Sequence, residues 1–323
     1  MASTTMTNPL AVPTTVDSVV LSTSLADYQK RLVDNIYNNT VILKLANEAG
    51  NKKMINGGVS IVETLIRDKQ NAGGFYLGAD VLNNTQVNST TLLEYKWQNA
   101  YEPIQITRDE ERQNSGDIHK IIDLVGTKIS LSERAINDRM DQALSTPVGE
   151  ANNLIDLETL VNTGTLGTIA GASNSFWQST VTASGAFATQ GLSDMTTATY
   201  AVSSSATVDN PTHYLTTKAI FQKFEQTRLP LERIQNGTLS ANAGFTNLTF
   251  KGKPIIYGNY ISGGLMFGLN MNYIYLAVDS ETDFVTTPFI SPTNQTIKVA
   301  YILWRGNLLT NNRRRHFKLT SIS

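Results

Sequence analysis

Cysteine is absent from this chain of 323 residues, which excludes a disulfide framework, a thiolate metal site and a cysteine nucleophile. Histidine is nearly absent. His119, His213 and His316 stand far apart, with no i, i+4 pair to hold a metal and no G-x-S-x-G elbow nearby, so each is expected to be structural or solvated. Charge is sparse too: 16% of residues are charged and the formal net charge is -1, so attraction to nucleic acid or to an acidic membrane must be local. No stretch approaches about 18 uninterrupted apolar residues. The N-terminal "MASTTMTNPLAVPTTVDSVV" lacks a basic segment ahead of an apolar run, so the expectation is a soluble chain of a reducing compartment. The glycine-rich "GTLGTIAG" and "GGLMFG" have no Lys-Ser/Thr behind them, and "KGKP" puts Pro254 where a P-loop hydroxyl belongs.

What is present is 41% hydrophobic residues, enough for one large core or two modest ones. Residues 1 to about 24 have no sustained period and read as an extended arm. In "SLADYQKRLVDNIYNNTVILKLANEAG", Ser24 is a candidate cap and Leu25, Tyr28, Leu32 and Ile36 form a helical stripe that breaks near Asn38 and Asn39 and resumes to Gly50. "GGVSIVETLIRD" and "TLLEYKWQNAYEPIQIT" read as strands, predicting a ribbon with arms of about 12 residues, roughly 40 Å long. Between them, "RDKQNAGGFYLGADVLNNTQVNST" is too long and too rich in turn residues for an internal connection. Its bulky Phe75, Tyr76 and Leu77 are bracketed by Gly73, Gly74 and Gly78, which points to an arm that docks elsewhere.

A long helix follows. Ile118, Ile121, Ile122, Val125, Ile129, Ile136, Met140 and Leu144 repeat at 3-4 spacing, from a cap at Asp117 to a stop at Pro147 and Gly149. From Ala151 onward, short helices alternate with strands, an α+β rather than a βαβ pattern. "PTHYLTTKAIFQKFEQTRLPLERI" predicts a strand, then a helix with Ile220, Phe221 and Phe224 inward, ended by Pro230. "LTFKGKPIIYGNY", "NYIYLAVD", "IKVAYILWRGNLL" and "HFKLTS" read as later strands.

Two charged clusters invite chemistry. "TRDEER" sets Asp109, Glu110 and Glu111 between Arg108 and Arg112, a carboxylate pair for acid–base work or Mg²⁺ or, with no partner motif, a solvated or intersubunit charge cluster. "NNRRRHFK" gathers Arg313, Arg314 and Arg315, which can meet phosphate or the acidic groups of a neighbouring subunit. Lys69 lies in the long loop, but no catalytic carboxylate for an isopeptide bond is specified. An enzyme or a polysaccharide-binding β-rich protein has only the aromatic strands and "TRDEER" in its favour.

Taken in order, these parts resemble the tailed-phage major capsid protein family, whose coat-protein fold is shared with encapsulins and the herpesvirus capsid floor domain. "HYLTTKAIFQKFEQT", "LTFKGKPIIYGNY", "NYIYLAVD" and the closing "YILWRGNLLTNNRRRHFKL" carry the likeness. The resemblance implies an N-arm over 1–30, a short helical segment over 31–51 and an extended E-loop over 52–110. A P-domain spine helix over 111–150, an A-domain over 151–275, P-domain return strands over 276–303 and a C-terminal A-domain segment over 304–323 complete it. It implies a non-enzymatic shell subunit, with no cofactor or metal, that forms hexamers and pentamers around double-stranded phage DNA. The alternative is an encapsulin-like shell around protein cargo. Phe75, Tyr76 and Leu77 would anchor the loop on the next subunit, and the two charged clusters would serve as further intersubunit contacts. Expected partners are a separate scaffolding protein, since no heptad-rich segment precedes residue 25, together with a portal, a decoration protein and DNA touched without sequence specificity on the inner face; no membrane is expected. The expected location is the virion capsid, assembled in the host cytoplasm.

Overall fold

The computed structural model describes residues 35–37, 40–67, 74–82, 85, 89–113, 118–149, 152–205, 209–235, 248–293 and 295–323. The expected N-arm, Ser24, Leu25, Tyr28, Leu32, Asn38, Asn39, Lys69, Gly73 and Asp117 lie outside them, as do the side chains of Ile118, Ile121 and Ile122. In chain order the elements are α1 (Val41–Glu48), β1 (Lys52–Ile55), β2 (Ser60–Ile66), β3 (Thr90–Lys96), β4 (Gln98–Thr107), α2 (Arg108–Gln113) and α3 (Ile118–Ser145). Then come α4 (Leu157–Leu160), β5 (Thr180–Ala183), α5 (Leu192–Val202), β6 (His213–Thr216), α6 (Lys218–Gln235), β7 (Thr249–Phe250) and β8 (Lys253–Tyr257). The chain closes with β9 (Met266–Leu269), β10 (Ile274–Asp279), β11 (Val285–Thr286), β12 (Ile297–Thr310) and β13 (Phe317–Thr320). The α+β expectation holds.

The chain divides into two compact units. The first comprises residues up to Thr40, Asn99–Arg139 and Asp279–Arg305; the second comprises Val41–Gln98, Met140–Val278 and Gly306–Ser323.

In the first unit, the apolar stripe of α3 buries Val125, Ile129 and Ile136, while Arg134 and Asp138 face solvent. Ser132 donates its hydroxyl to the Pro103 carbonyl of β4 at 3.1 Å, and Glu102 meets Arg139 at 3.6 Å. Alternation along β4 is what buries Ile104 and Ile106. Elsewhere in this unit Tyr37 stands edge-on to Phe284, which stacks on Trp304 with ring centres 5.9 Å apart. Burial and the neighbouring Asp283 both raise the Tyr37 pKa, so the phenol stays protonated and donates to Asp283 at 2.6 Å.

The second unit is built on a mixed six-stranded sheet in the order β5-β13-β9-β6-β8-β7. The β5–β13 and β6–β8 pairs are parallel and the others antiparallel. Its central strands bury nearly every side chain. Met195 and Ala198 of α5 and Ile220 and Phe224 of α6 pack with Tyr214, Ile255, Met266, Phe317 and Leu319 of the sheet in one core cluster. Gly268 is required there, because a Cβ would lie 2.1 Å from the Phe317 ring. β10 pairs antiparallel with the end of β12, from Ile274 opposite Thr310 to Val278 opposite Gly306.

One expectation about length changes. Helix α6 does not stop at Pro230 but continues to Gln235. Proline removes a single backbone donor, and Ile220 and Phe224 anchor the preceding turns in the core. Among the described residues, the hairpin pairs over seven residues in each arm, about 23 Å, from Ser60 opposite Lys96 to Ile66 opposite Thr90.

Candidate assembly surface

β2 and β3 form an antiparallel hairpin in continuous register from Ser60 opposite Lys96 to Ile66 opposite Thr90. Their period of two sorts side chains onto two faces. The inner face puts Ile61, Leu65, Leu93 and Tyr95 into a cluster with Leu166, Ile169, Trp177, Tyr275 and Leu309. Tyr95 donates its hydroxyl to the Thr310 carbonyl at 2.9 Å. Gly167 lies against this face at φ +62°, where a Cβ would fall 2.6 Å from Leu93 and 2.8 Å from the Glu94 carbonyl. Only glycine admits that approach.

The outer face is also partly apolar, yet exposed: Val62, Ile66 and Leu92 are 57%, 80% and 64% accessible. Leu92 faces Thr64, so it sits diagonally between Val62 and Ile66 and joins them into a strip. In the segment between the two strands, Phe75, Tyr76 and Leu77 are all exposed, as are Val81 and Leu82. A local turn holds this tip. The Leu77 amide donates to the Asp80 carboxylate at 2.9 Å, the Asp80 amide returns to the Leu77 carbonyl at 3.3 Å, and Gly78 between them has φ +56°. The predicted anchors are thus gathered on one short, solvent-facing segment. Val62, Ile66 and Leu92 are further exposed apolar residues and were missed in the sequence, although strict alternation through "SIVETLI" was their signal.

"TRDEER" has a different role for its acids. Thr107 and Glu110 form a reciprocal cap on α2: the Thr107 amide donates to Glu110 at 3.0 Å and the Glu110 amide donates to the Thr107 hydroxyl at 3.3 Å. Lys128 of α3 then approaches Glu110 at 2.7 Å, and this bond, with the Thr107 amide, holds the Glu110 carboxyl down to about 2. Glu111 pairs with Lys298 at 2.5 Å. Both glutamates are therefore engaged by lysines of their own chain. Arg108, Asp109 and Arg112 remain exposed.

The arginine triplet divides into three roles. Arg313 is fully buried and donates to the carbonyls of Leu160 at 2.8 Å, Thr159 at 2.7 Å, Gly164 at 2.5 Å and Trp177 at 3.3 Å. It caps the carbonyl end of α4 and clamps the following loop, so it is not an intersubunit contact. A charge that satisfies four carbonyls of its own chain cannot also meet a partner. Arg314 is exposed, and Arg315 is held by the Val202 carbonyl at 2.8 Å and Asp209 at 3.2 Å.

Chemistry is otherwise sparse. Among the described residues no cluster of His, Asp or Glu could hold a metal ion, and no helix is long and apolar enough to cross a membrane. His316 is fully buried; its Nδ1 accepts from the Asn270 amide at 3.2 Å and its Nε2 lies 3.2 Å from the Thr310 hydroxyl, a structural position. His213 is half-buried beside Thr212. In the first unit an apolar groove of about 420 Å³ is lined by Ala100, Tyr101, Tyr301, Leu303 and Trp304.

No family model and no curated protein matches the sequence. Solved structures do match the fold. The cyanophage A-1(L) capsid asymmetric unit aligns over 88% of this chain and 93% of its own, with 14% identity and a TM-score of 0.62. The capsid of the native GTA particle aligns over 86% and 91%, with 10% identity and a TM-score of 0.56. The holo-SrpI encapsulin of Synechococcus elongatus aligns over 84% and 85%, with 10% identity and a TM-score of 0.52. The fold is that of a shell-forming capsid subunit. More particularly, it is the coat-protein fold of tailed-phage major capsid proteins, shared with encapsulin.

Proposed function

We propose that this chain is a tailed-phage major capsid protein that self-assembles, through hexamers and pentamers, into an icosahedral shell around double-stranded DNA. The observation that carries the reading is the hairpin with two apolar faces: one is embedded in its own subunit, while the other leads to an exposed Phe75-Tyr76-Leu77 tip that a monomer has no use for. In that reading 52–110 is the E-loop, 111–150 carries the spine helix, 151–275 and 304–323 form the A-domain, and 276–303 returns through the P-domain. The tip and the outer strip lie on the next copy, with Arg108, Asp109, Arg112 and Arg314 as charged contacts. An interface of standard size buries about 800 Å² per partner, more than a few tip residues supply, so the strip is part of the contact. Many weak contacts then sum to a stable shell while each stays reversible during assembly.

The subunit itself is non-enzymatic. A separate scaffolding protein, a portal and a decoration protein complete the particle, which assembles in the host cytoplasm, and DNA meets the inner face without sequence specificity. The test is expression alone and with a candidate scaffold, followed by size exclusion and electron microscopy. Isometric particles with nuclease-protected DNA are expected in infected cells, and a discrete small species under every condition overturns the reading. The likeness to encapsulin favours one second reading, a shell around protein cargo. Particles that hold protein and no protected DNA decide for it.

A further inference from the structure

A concave site of about 380 Å³ lies at the root of the long loop, in the second unit. Its walls come from segments remote in sequence: the end of β2 with Arg67, the Phe176–Trp177 turn, Tyr273, and the turn from Asn311 to Arg315. We propose that this cavity binds a phosphate group.

The charge count is the first reason. Arg67, Arg314 and Arg315 line one cavity, and among the described residues no carboxylate lines it with them. Asp209 stands behind Arg315 and pairs with it at 3.2 Å, leaving an excess of about two positive charges by this count. One more carboxylate would supply a single negative charge. Inorganic phosphate carries about -1.5 to -2, and two successive phosphodiesters carry two, so phosphate matches the site better.

The donors are the second reason. Arg315 is fixed by the Val202 carbonyl, Asp209 and the Ser204 hydroxyl, while Arg67 and Arg314 are exposed. The backbone around it is preset: the Asn311 amide donates to the Tyr273 carbonyl at 3.2 Å, and the Arg67 amide donates to the Ser89 carbonyl at 2.7 Å. Asn311 and Asn312 add neutral amides to the wall. Guanidinium groups present forked donors that suit tetrahedral oxyanions, so a bound phosphate would tie Arg67, where the loop leaves the hairpin, to the C-terminal turn.

The test needs the full chain and no assembly: calorimetric titration with inorganic phosphate, against potassium chloride at equal ionic strength. Saturable binding is expected, weakened at least tenfold in Arg67→Ala/Arg314→Ala and unchanged in Arg134→Ala, an exposed arginine of α3. Arg67 and Arg314 are both exposed, so the double variant keeps the native far-UV circular dichroism. Absence of a saturable signal, or a double variant that binds as tightly as the parent, overturns the proposal. A short DNA oligonucleotide separates the sources: competition with phosphate that disappears in the double variant assigns the site to phosphodiesters, and no competition assigns it to free phosphate.

Discussion

Strands β9 and β10 bury every one of their side chains, whereas β2 and β3 bury alternate ones and turn Val62, Ile66 and Leu92 to solvent. A strand covered on both faces is complete within its subunit. A hairpin covered on one face, with apolar residues on the other, is complete only when something else covers it. In the proposed function, the difference separates the part of the molecule that makes the fold from the part that makes the assembly.

The sharpest way to break that comparison is to place the same charge on both sides of it. Leu276→Asp, at a fully buried position of β10, should destabilise the subunit by about 4 kcal/mol or more, seen as loss of the folded baseline in urea titration. Val62→Asp should shift the same transition by less than about 0.5 kcal/mol while lowering particle yield. Next comes the arginine triplet. Arg313→Ala leaves buried carbonyls without donors and should cost about 3 kcal/mol, whereas Arg314→Ala should cost less than about 0.5 kcal/mol; equal effects would contradict the division of roles.

A smaller effect is tied to pH. Burial, with Arg313 nearby, pushes His316 down to about 3 from its ordinary 6.5, so the folded state holds the neutral ring and the unfolded state takes up the proton first. Stability contributed by the neutral ring is full above pH 6.5 and is lost as pH falls toward 3, with a limiting slope of about 1.4 kcal/mol per unit. Burial lowers His213 as well, so it adds in the same direction, while Glu110, depressed to about 2 from 4.5, loses its contribution only below pH 4.5. Urea midpoints between pH 6.5 and 4.5 should therefore fall, and His316→Gln should flatten that decline. The smallest effect on the fold belongs to the tip: Phe75→Ser/Leu77→Ser should leave the urea midpoint within about 0.5 kcal/mol of the parent and abolish particles. Normal particles would remove the tip from the assembly surface.

The long helix was legible because its 3-4 stripe is a local pattern, and α3 spans 28 residues at the expected place. The hairpin and later strands were legible for the same reason. Other features look local but are not. "TRDEER" contains a Thr-x-x-Glu cap, readable as such, yet Lys128 and Lys298 come from elsewhere in the chain, so only folding shows that the glutamates are engaged. Three consecutive arginines look equivalent in sequence, and no periodicity tells Arg313 from Arg314.

By itself, the sequence determined the kinds of elements, their order, the absence of cysteine chemistry and the presence of an apolar loop tip, because periodicity and composition act over neighbouring residues. The tertiary structure alone decided which charges are used up inside the subunit, which hairpin face stays open and which arginines share a cavity. Each of those depends on contacts between segments far apart in the chain, whose meeting is set by the packing of the whole core rather than by any local pattern.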